Sequence, residues 1–296
     1  MPKSKHIPVM LAEVLEYLRP TAGGSYLDLT AGYGGHAAAI IGRTAKAAKT
    51  TLVDRDSQAI AALRNRFGSQ PQIIHADYLS ASRRLHKQGR RYDMILADLG
   101  LSSPHLENSD RGFSFRRSGP LDMRMDQSQS LTASEIVNHW TEADIESLLA
   151  SYGQEPKARA MAKLIVSSRP LSTTAELAAI AKRLWPGHSR IHPATRLFQA
   201  LRIGVNDELD QLKQSLPQWL DLLALEGRLA IISYHSGEDR LVKQFFIDHS
   251  RGYGAEMKLL TAGVIRPSLA EIAINPRARS AKLRAVAKIK TSHTFS

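Results

Sequence analysis

SYLDLTAGYGGHA, residues 25–37, is the stretch on which the fold turns. Ser25 to Leu29 is a short apolar run bounded by turn residues and too short for a helix, so it reads as a strand. It runs into Gly32, Gly34 and Gly35 just before a helix-like stretch from His36 to Gly42. Glycines there let the backbone turn sharply and leave room for a ligand to approach main-chain atoms. By itself this G-x-G-x-x-A spacing suits a dinucleotide as well as it suits a methyl donor.

Working outward, similar apolar runs recur at TLV (51–53), QII (72–74), MILA (94–97) and RLAIIS (228–233). Helical stretches separate the first four strands: the one already named, Ser57 to Phe67 with Asp56 or Ser57 as cap, and Leu79 to Lys87. The alternation βαβαβαβ predicts an α/β, Rossmann-like fold: a mostly parallel sheet with helices on both faces.

After residue 105 almost a hundred residues pass without a strand signal. TEADIESLLASYG offers Thr141 as N-cap, Asp144 at the third helical position and Gly153 as stop; PKARAMAKLIVSS, TTAELAAIAKRL and HPATRLFQALRIGVN follow. Residues 106–200 therefore read as an all-helical insertion for substrate recognition, between the two parts of a ligand-binding domain, 1–105 and 201–296. NDELDQLKQSLPQWLDLL returns the chain to RLAIIS, and its Pro217 is expected to start a new turn or kink the helix. NPRARSAKLRAVAKI combines a turn with a last strand-like run.

The 296 residues suffice for such a domain with an insertion, and they include no cysteine, which rules out disulfides, thiolate metal sites and a cysteine nucleophile. No apolar run approaches the ~18 residues of a membrane span, and no signal-peptide core opens the chain. A soluble, cytoplasmic protein with no membrane partner is the expectation. Forty Lys and Arg against 28 Asp and Glu leave +12, and beyond residue 250 nine basic residues face two acids. That excess attracts polyanions, nucleic acid first among them; the plainer reading is a basic surface serving solubility.

Four sets of residues follow strand ends. Asp54 lies about 20 residues after the glycines, where a carboxylate can take both hydroxyls of an adenosine ribose. Asp28 precedes the turn and suits a cationic tail better than a pyrophosphate, although a strand-end carboxylate can equally be satisfied by backbone amides. Asp77 and Tyr78 are placed to bracket an adenine. ILADLGLSSPH puts Asp98, Ser102, Ser103 and Pro104 where the reacting atom should sit. An exocyclic amine of a base is a poor nucleophile because its lone pair is delocalised; a carboxylate or carbonyl there would orient it and accept its hydrogen bonds. The alternative chemistry, attack at a pyrimidine C6, uses a cysteine that this chain lacks.

IISYHSGEDR adds His235, Ser236, Asp239 and Arg240 as candidate substrate contacts, with a plain helix start as the competing reading. His36, His105 and His235 have no compact ligand spacing, so no metal is expected. Arg277, Arg279, Lys282 and Arg284 are candidate phosphate contacts, and Phe113, Phe115 and Trp140 candidate base-stacking residues, Trp140 being better explained as core.

Together these segments resemble the bacterial 16S ribosomal RNA cytosine-N4 methyltransferases. The resemblance spans nearly the whole chain: HIPVML near the start, GGH at 34–36, VDRD at 53–56, DLGLSSPHL from 98, RGFSFRRSGPLDMRMD from 111, HPATRLFQALRI from 192, SYHSGEDR from 233 and NPRARSAKLR from 275. It implies a class I methyltransferase fold with a helical insertion. It also implies direct methyl transfer from S-adenosyl-L-methionine to the N4 amine of a cytidine in the decoding region of 16S rRNA, in the small ribosomal subunit. Gly34, Gly35, His36, Asp54, Tyr78, Asp98 and His105 are the donor-binding positions the resemblance implies. The family usually shows Phe where Tyr78 and Tyr234 stand and Leu where Gly237 stands. An NAD-dependent oxidoreductase and a non-catalytic basic RNA-binding protein are the alternative readings, and a homodimer is left open.

Overall fold

A computed structural model describes residues 8–100, 108–187 and 192–290. The chain forms two compact units, one of Met1–Gly100 with Asp210–Ser296 and one of Leu101–Leu209.

The first unit is built on seven strands: β1 (Tyr26–Asp28), β2 (Thr50–Asp54), β3 (Gln72–His75), β4 (Tyr92–Asp98), β5 (Leu223–Ser233), β6 (Met257–Leu259) and β7 (Lys282–Lys288). Their spatial order is β3-β2-β1-β4-β5-β7-β6. The first five are parallel, and β7 enters antiparallel between β5 and β6. This is the Rossmann-like, mostly parallel sheet that the strand–helix alternation predicted. The chain reverses its direction of winding between β1 and β4, so a crevice opens beyond their carboxyl ends.

Helices α1 (Leu11–Leu18), α2 (Gly35–Thr44), α3 (Ser57–Phe67) and α4 (Tyr78–Lys87) come from the first part of this unit. Asp56 caps α3 by accepting the Gln58 N–H at 3.0 Å, and Asp77 caps α4 by accepting that of Ser80 at 2.8 Å. The Asp56 cap is a local signal readable in the sequence, whereas Asp77 reads there as a candidate adenine contact. α1 carries no such signal: Met10 stands at its start in the left-handed region with no side-chain cap.

Both sheet faces are buried, as a parallel sheet requires. Leu27, Leu29, Ile95, Ala97, Leu229 and Ile231 pack on one side with Leu216, Trp219 and Phe246. Tyr26, Met94, Leu96, Ala230 and Ile232 pack on the other with Val14, Ile40, Ile60 and Leu63. The i, i+2 alternation sorts the two sets. The fully buried Trp219 donates its indole N–H to Ser82 Oγ at 3.0 Å.

The second unit contains α5 (Ala133–His139), α6 (Glu142–Ser151), α7 (Ala158–Ser167), α8 (Thr174–Leu184) and α9 (Ala194–Asn206), around a core that includes Ile136, Ile145, Met161, Leu177, Leu197 and Leu201. Thr141 caps α6 from the Asp144 N–H as its sequence suggested, and Thr173 with Glu176 forms a full capping box on α8. The RGFSFRRSGPLDMRMD segment is irregular and braces itself. Arg111 donates to the carbonyls of Arg124 and Met125, Arg124 pairs with Asp122 at 2.8 Å, and Asn206 bridges the Met125 N–H and the Met123 carbonyl.

α10 (Glu208–Leu222) leads into β5 with Pro217 inside it rather than at a new start. Buried Leu212, Leu216, Trp219 and Leu220 hold it to the sheet across the missing N–H. α11 (Ser236–His249) and α12 (Leu269–Ile274) complete the first unit. Among the described residues no helix is long and apolar enough to cross a membrane.

Candidate active site at the carboxyl edge of the sheet

Strand register brings Asp28, Asp54 and Asp98 to one edge, because β1, β2 and β4 are parallel neighbours and each ends on its carboxylate. Asp54 is tied on both oxygens: Oδ2 accepts the Gly32 N–H at 2.7 Å and Oδ1 that of Asp56 at 2.9 Å. The glycine turn is thus pinned to the end of β2. Gly32 and Gly34 have positive φ, 51° and 76°, as the turn demands. The space a side chain would take at Gly34 is already filled by protein: a Cβ there would lie 2.5 Å from the Phe67 ring, and one at Gly35 would lie 2.6 Å from Pro8. These two glycines serve close packing of the turn as well as approach to its backbone.

Asp28 is buried at 1% exposure. Its Oδ2 accepts the hydroxyl of Tyr26 at 2.8 Å and its Oδ1 the Thr30 N–H at 3.3 Å. Burial, reinforced by the charges of Asp98 and Asp54, pushes its pKa up to about 7. Asp98 is held by its own N–H, donated to Thr30 Oγ1 at 2.7 Å, and by the Tyr234 hydroxyl, which donates to Oδ1 at 2.8 Å. Burial also raises its pKa; His36, the Tyr234 hydroxyl and the Gly100 N–H act the other way, and Glu238 raises it further. His36, in the first turn of α2, is anchored by its Nε2–H, which donates to the Val9 carbonyl at 2.9 Å.

Desolvated carboxylates that repel one another are stabilised by a cation placed among them. A donor with a sulfonium and an ammonium group fits this charge; a pyrophosphate would add to the repulsion. Tyr78, the first residue of α4, stands edge-on to Trp219 with 5.5 Å between ring centroids, and Asp77 beside it is engaged as the helix cap.

Residues 3–289 match the MraW methylase family. The chain belongs to that family. It is 48% identical to the "Ribosomal RNA small subunit methyltransferase H" of Cyanothece sp. (strain PCC 7425 / ATCC 29141), over 96% of this chain and 94% of that one. It is 44% identical to the protein of the same name from Trichodesmium erythraeum (strain IMS101), over 96% and 99%. A third so named, from Heliobacterium mobile, is 41% identical over 96% and 99%. MraW methylases are S-adenosyl-L-methionine-dependent methyltransferases, so membership favours methyl transfer over the hydride-transfer alternative and matches the recognition reached from the motifs.

Within this MraW chain the expected donor positions Gly34, Gly35, His36, Asp54, Tyr78 and Asp98 all lie on the loops and element ends at the carboxyl edge. Ser102, Ser103, Pro104 and His105 lie outside the described residues. His235 is buried and caps α11: its Nδ1 accepts the Gly237 N–H at 3.2 Å, and its Nε2 stands 3.1 Å from Glu238 Oε1. Its position is that of an internal brace. Ser236 and Arg240 are exposed in the first turns of the same helix, and Arg277 and Arg279 are exposed on the 3-10 segment Pro276–Ser280. Lys282 and Arg284 both pair with Asp239, Arg284 Nε reaching Asp239 Oδ1 at 2.7 Å, so one carboxylate offsets part of the charge of this stretch of the basic tail. Phe113 is buried and Phe115 stacks on His192 at 4.4 Å between centroids.

Sequence reasoning overlooked Tyr26 and Thr30, and left Glu238 open between a direct role and a plain helix start. Tyr26 carried a usable signal, since residues i and i+2 of a strand share a face and its hydroxyl was bound to meet Asp28. Glu238, which accepts the Tyr234 N–H at 2.7 Å, had none beyond its place in a helix start.

Proposed function

We propose that the protein methylates the exocyclic N4 amine of a cytidine in the decoding region of 16S rRNA, within the small ribosomal subunit. The observation that carries the reading is the convergence of Asp28, Asp54 and Asp98 at the switch point of a methyltransferase sheet. The names of the relatives point to small-subunit rRNA as the acceptor.

Asp54 would receive the donor's ribose and the backbone of the glycine turn its amino-acid part, with Tyr78 beside the adenine. The bound donor supplies an electrophilic methyl group on a positively charged sulfur. Asp98 would accept a hydrogen bond from the amine, which concentrates electron density on nitrogen and aims its lone pair along the carbon–sulfur axis. Asp98 would take up the proton that the nitrogen sheds as it is methylated, and the donor would depart as its neutral thioether. With no cysteine in the chain, nothing in this scheme needs a covalent enzyme intermediate. The helical unit would recognise the RNA, with Arg240, Arg277 and Arg279 of the first unit contacting phosphates.

The test is transfer of labelled methyl to small ribosomal subunits followed by nucleoside analysis. N4-methylcytidine is the expected product. Label on another atom would overturn the amine chemistry, and absence of label despite donor binding would overturn the acceptor.

A further inference from the structure

Tyr234 leaves the end of β5 directly opposite the end of β4. Its ring lies on Gly100, where an added Cβ would come within 2.6 Å of the aromatic edge, so the ring's seat is fixed by the absence of a side chain there. Its backbone N–H is held by Glu238 at 2.7 Å. With ring and backbone both constrained, the hydroxyl has one direction available, and it donates to Asp98 Oδ1 at 2.8 Å.

We propose that Tyr234 is a positioning residue for methyl transfer: its hydroxyl orients the Asp98 carboxylate and keeps it ionised at the moment it must accept the amine's hydrogen bond. This rests on the function proposed above and adds to it a residue that touches neither donor nor acceptor.

The family usually carries Phe at this position, so the hydroxyl is a device of this chain acting on Asp98 and not a requirement of the reaction. Asp98 faces the Tyr234 hydroxyl from the end of β5, His36 from α2, Tyr26 and Asp28 from β1 and Glu238 from α11, while Glu271 of α12 faces Tyr234 itself. Desolvation and Glu238 favour the protonated form of Asp98, a weaker acceptor that cannot take up the amine's proton; His36, Tyr234 and the Gly100 N–H favour the carboxylate. Burial and the carboxylates around it hold the Tyr234 phenol well above its ordinary pKa, so it remains a donor throughout the working range. Removing the hydroxyl shifts the balance toward protonated Asp98.

The experiment compares wild type, Tyr234→Phe and Asp98→Ala in kcat and RNA KM from pH 5 to 9, with thermal melting as the check of folding. Tyr234→Phe is expected to lower kcat about tenfold at neutral pH with RNA KM unchanged, and to move the acid limb of the profile upward by about one unit, the effect of losing a hydrogen bond to a charged group. Placing 3-fluorotyrosine at position 234, a stronger donor of the same shape, should move the limb downward. This second variant keeps the test decisive if Tyr234→Phe folds poorly. A loss of kcat that is equal at every pH, or no change in either variant while Asp98→Ala is inactive, overturns the positioning role and leaves the proposed reaction standing. Normal turnover by Asp98→Ala overturns both.

Discussion

Asp54 Oδ2 accepts the backbone N–H of Gly32 at 2.7 Å, across 22 residues of chain. One carboxylate therefore does two things: it anchors the glycine turn to the end of β2, and it presents acceptor lone pairs at the place proposed for a ribose. Asp54→Ala should raise the donor Kd at least tenfold, roughly 1.4 kcal/mol, in titration calorimetry. Asp54→Asn, which keeps one acceptor oxygen, should fall between the two. Unchanged affinity in Asp54→Ala would remove Asp54 from the donor site.

Asp98 accepts the Tyr234 hydroxyl and is the group proposed to receive the acceptor amine. Asp98→Ala is expected to reduce kcat by about a hundredfold or more, in line with loss of a group that acts on the transition state. The measurement is single-turnover methyl transfer with saturating donor, which separates turnover from any loss of donor affinity.

The sign of the Asp28 effect on stability follows from its raised pKa of about 7 against an ordinary 3.8. Between these values the folded protein holds a proton that the unfolded chain has released, so stability falls as pH rises from about 4 to about 7 and levels off above. Asp28→Asn should flatten that decline in melting temperature, with its largest gain at pH 8 and little difference at pH 4. Because a cation bound nearby lowers the pKa, donor binding at pH 7 should also release protons. Calorimetry in buffers of different ionisation enthalpy would count them; a count of zero in wild type would contradict the placement.

Arg277 and Arg279 are exposed on a 3-10 turn. Replacing both with Ala should weaken RNA binding across sequences and make the plot of log affinity against log salt shallower by up to about 2, one unit per lost phosphate contact on the rough scale for nucleic acids. An unchanged slope would show that these arginines do not reach the RNA backbone.

Asn206, 1% exposed, joins the end of α9 to the irregular 111–129 segment through the Met125 N–H and the Met123 carbonyl. Asn206→Ala leaves both groups without this partner and should destabilise the helical unit by about 1–3 kcal/mol in denaturant titration. A change below 0.5 kcal/mol, on the rough scale of an ordinary surface substitution, would mean that water replaces the amide.

The chain order of residues determined whatever depends on near neighbours. Apolar runs with turn residues between them placed the five parallel strands, and Asp56, Thr141 and Thr173 announced helices because a cap acts within three residues of its own position. The motifs GGH, VDRD and DLGLSSPHL carried the family resemblance and marked the edge at which chemistry belongs. β6 escaped because three residues show no periodicity, and α10 runs on through Pro217 because the burial of Trp219 and its neighbours outweighs the missing N–H. What only the tertiary structure decided is which polar groups meet. Asp98 and Tyr234 stand 136 residues apart and touch because β4 and β5 pair in register. His235, a candidate substrate contact in the sequence, is engaged as the cap of α11, and the space over Gly34 went to Phe67. Hydrogen bonds between side chains depend on ångström-scale positions set by the packing of the whole sheet, and no local pattern of residue types encodes those positions.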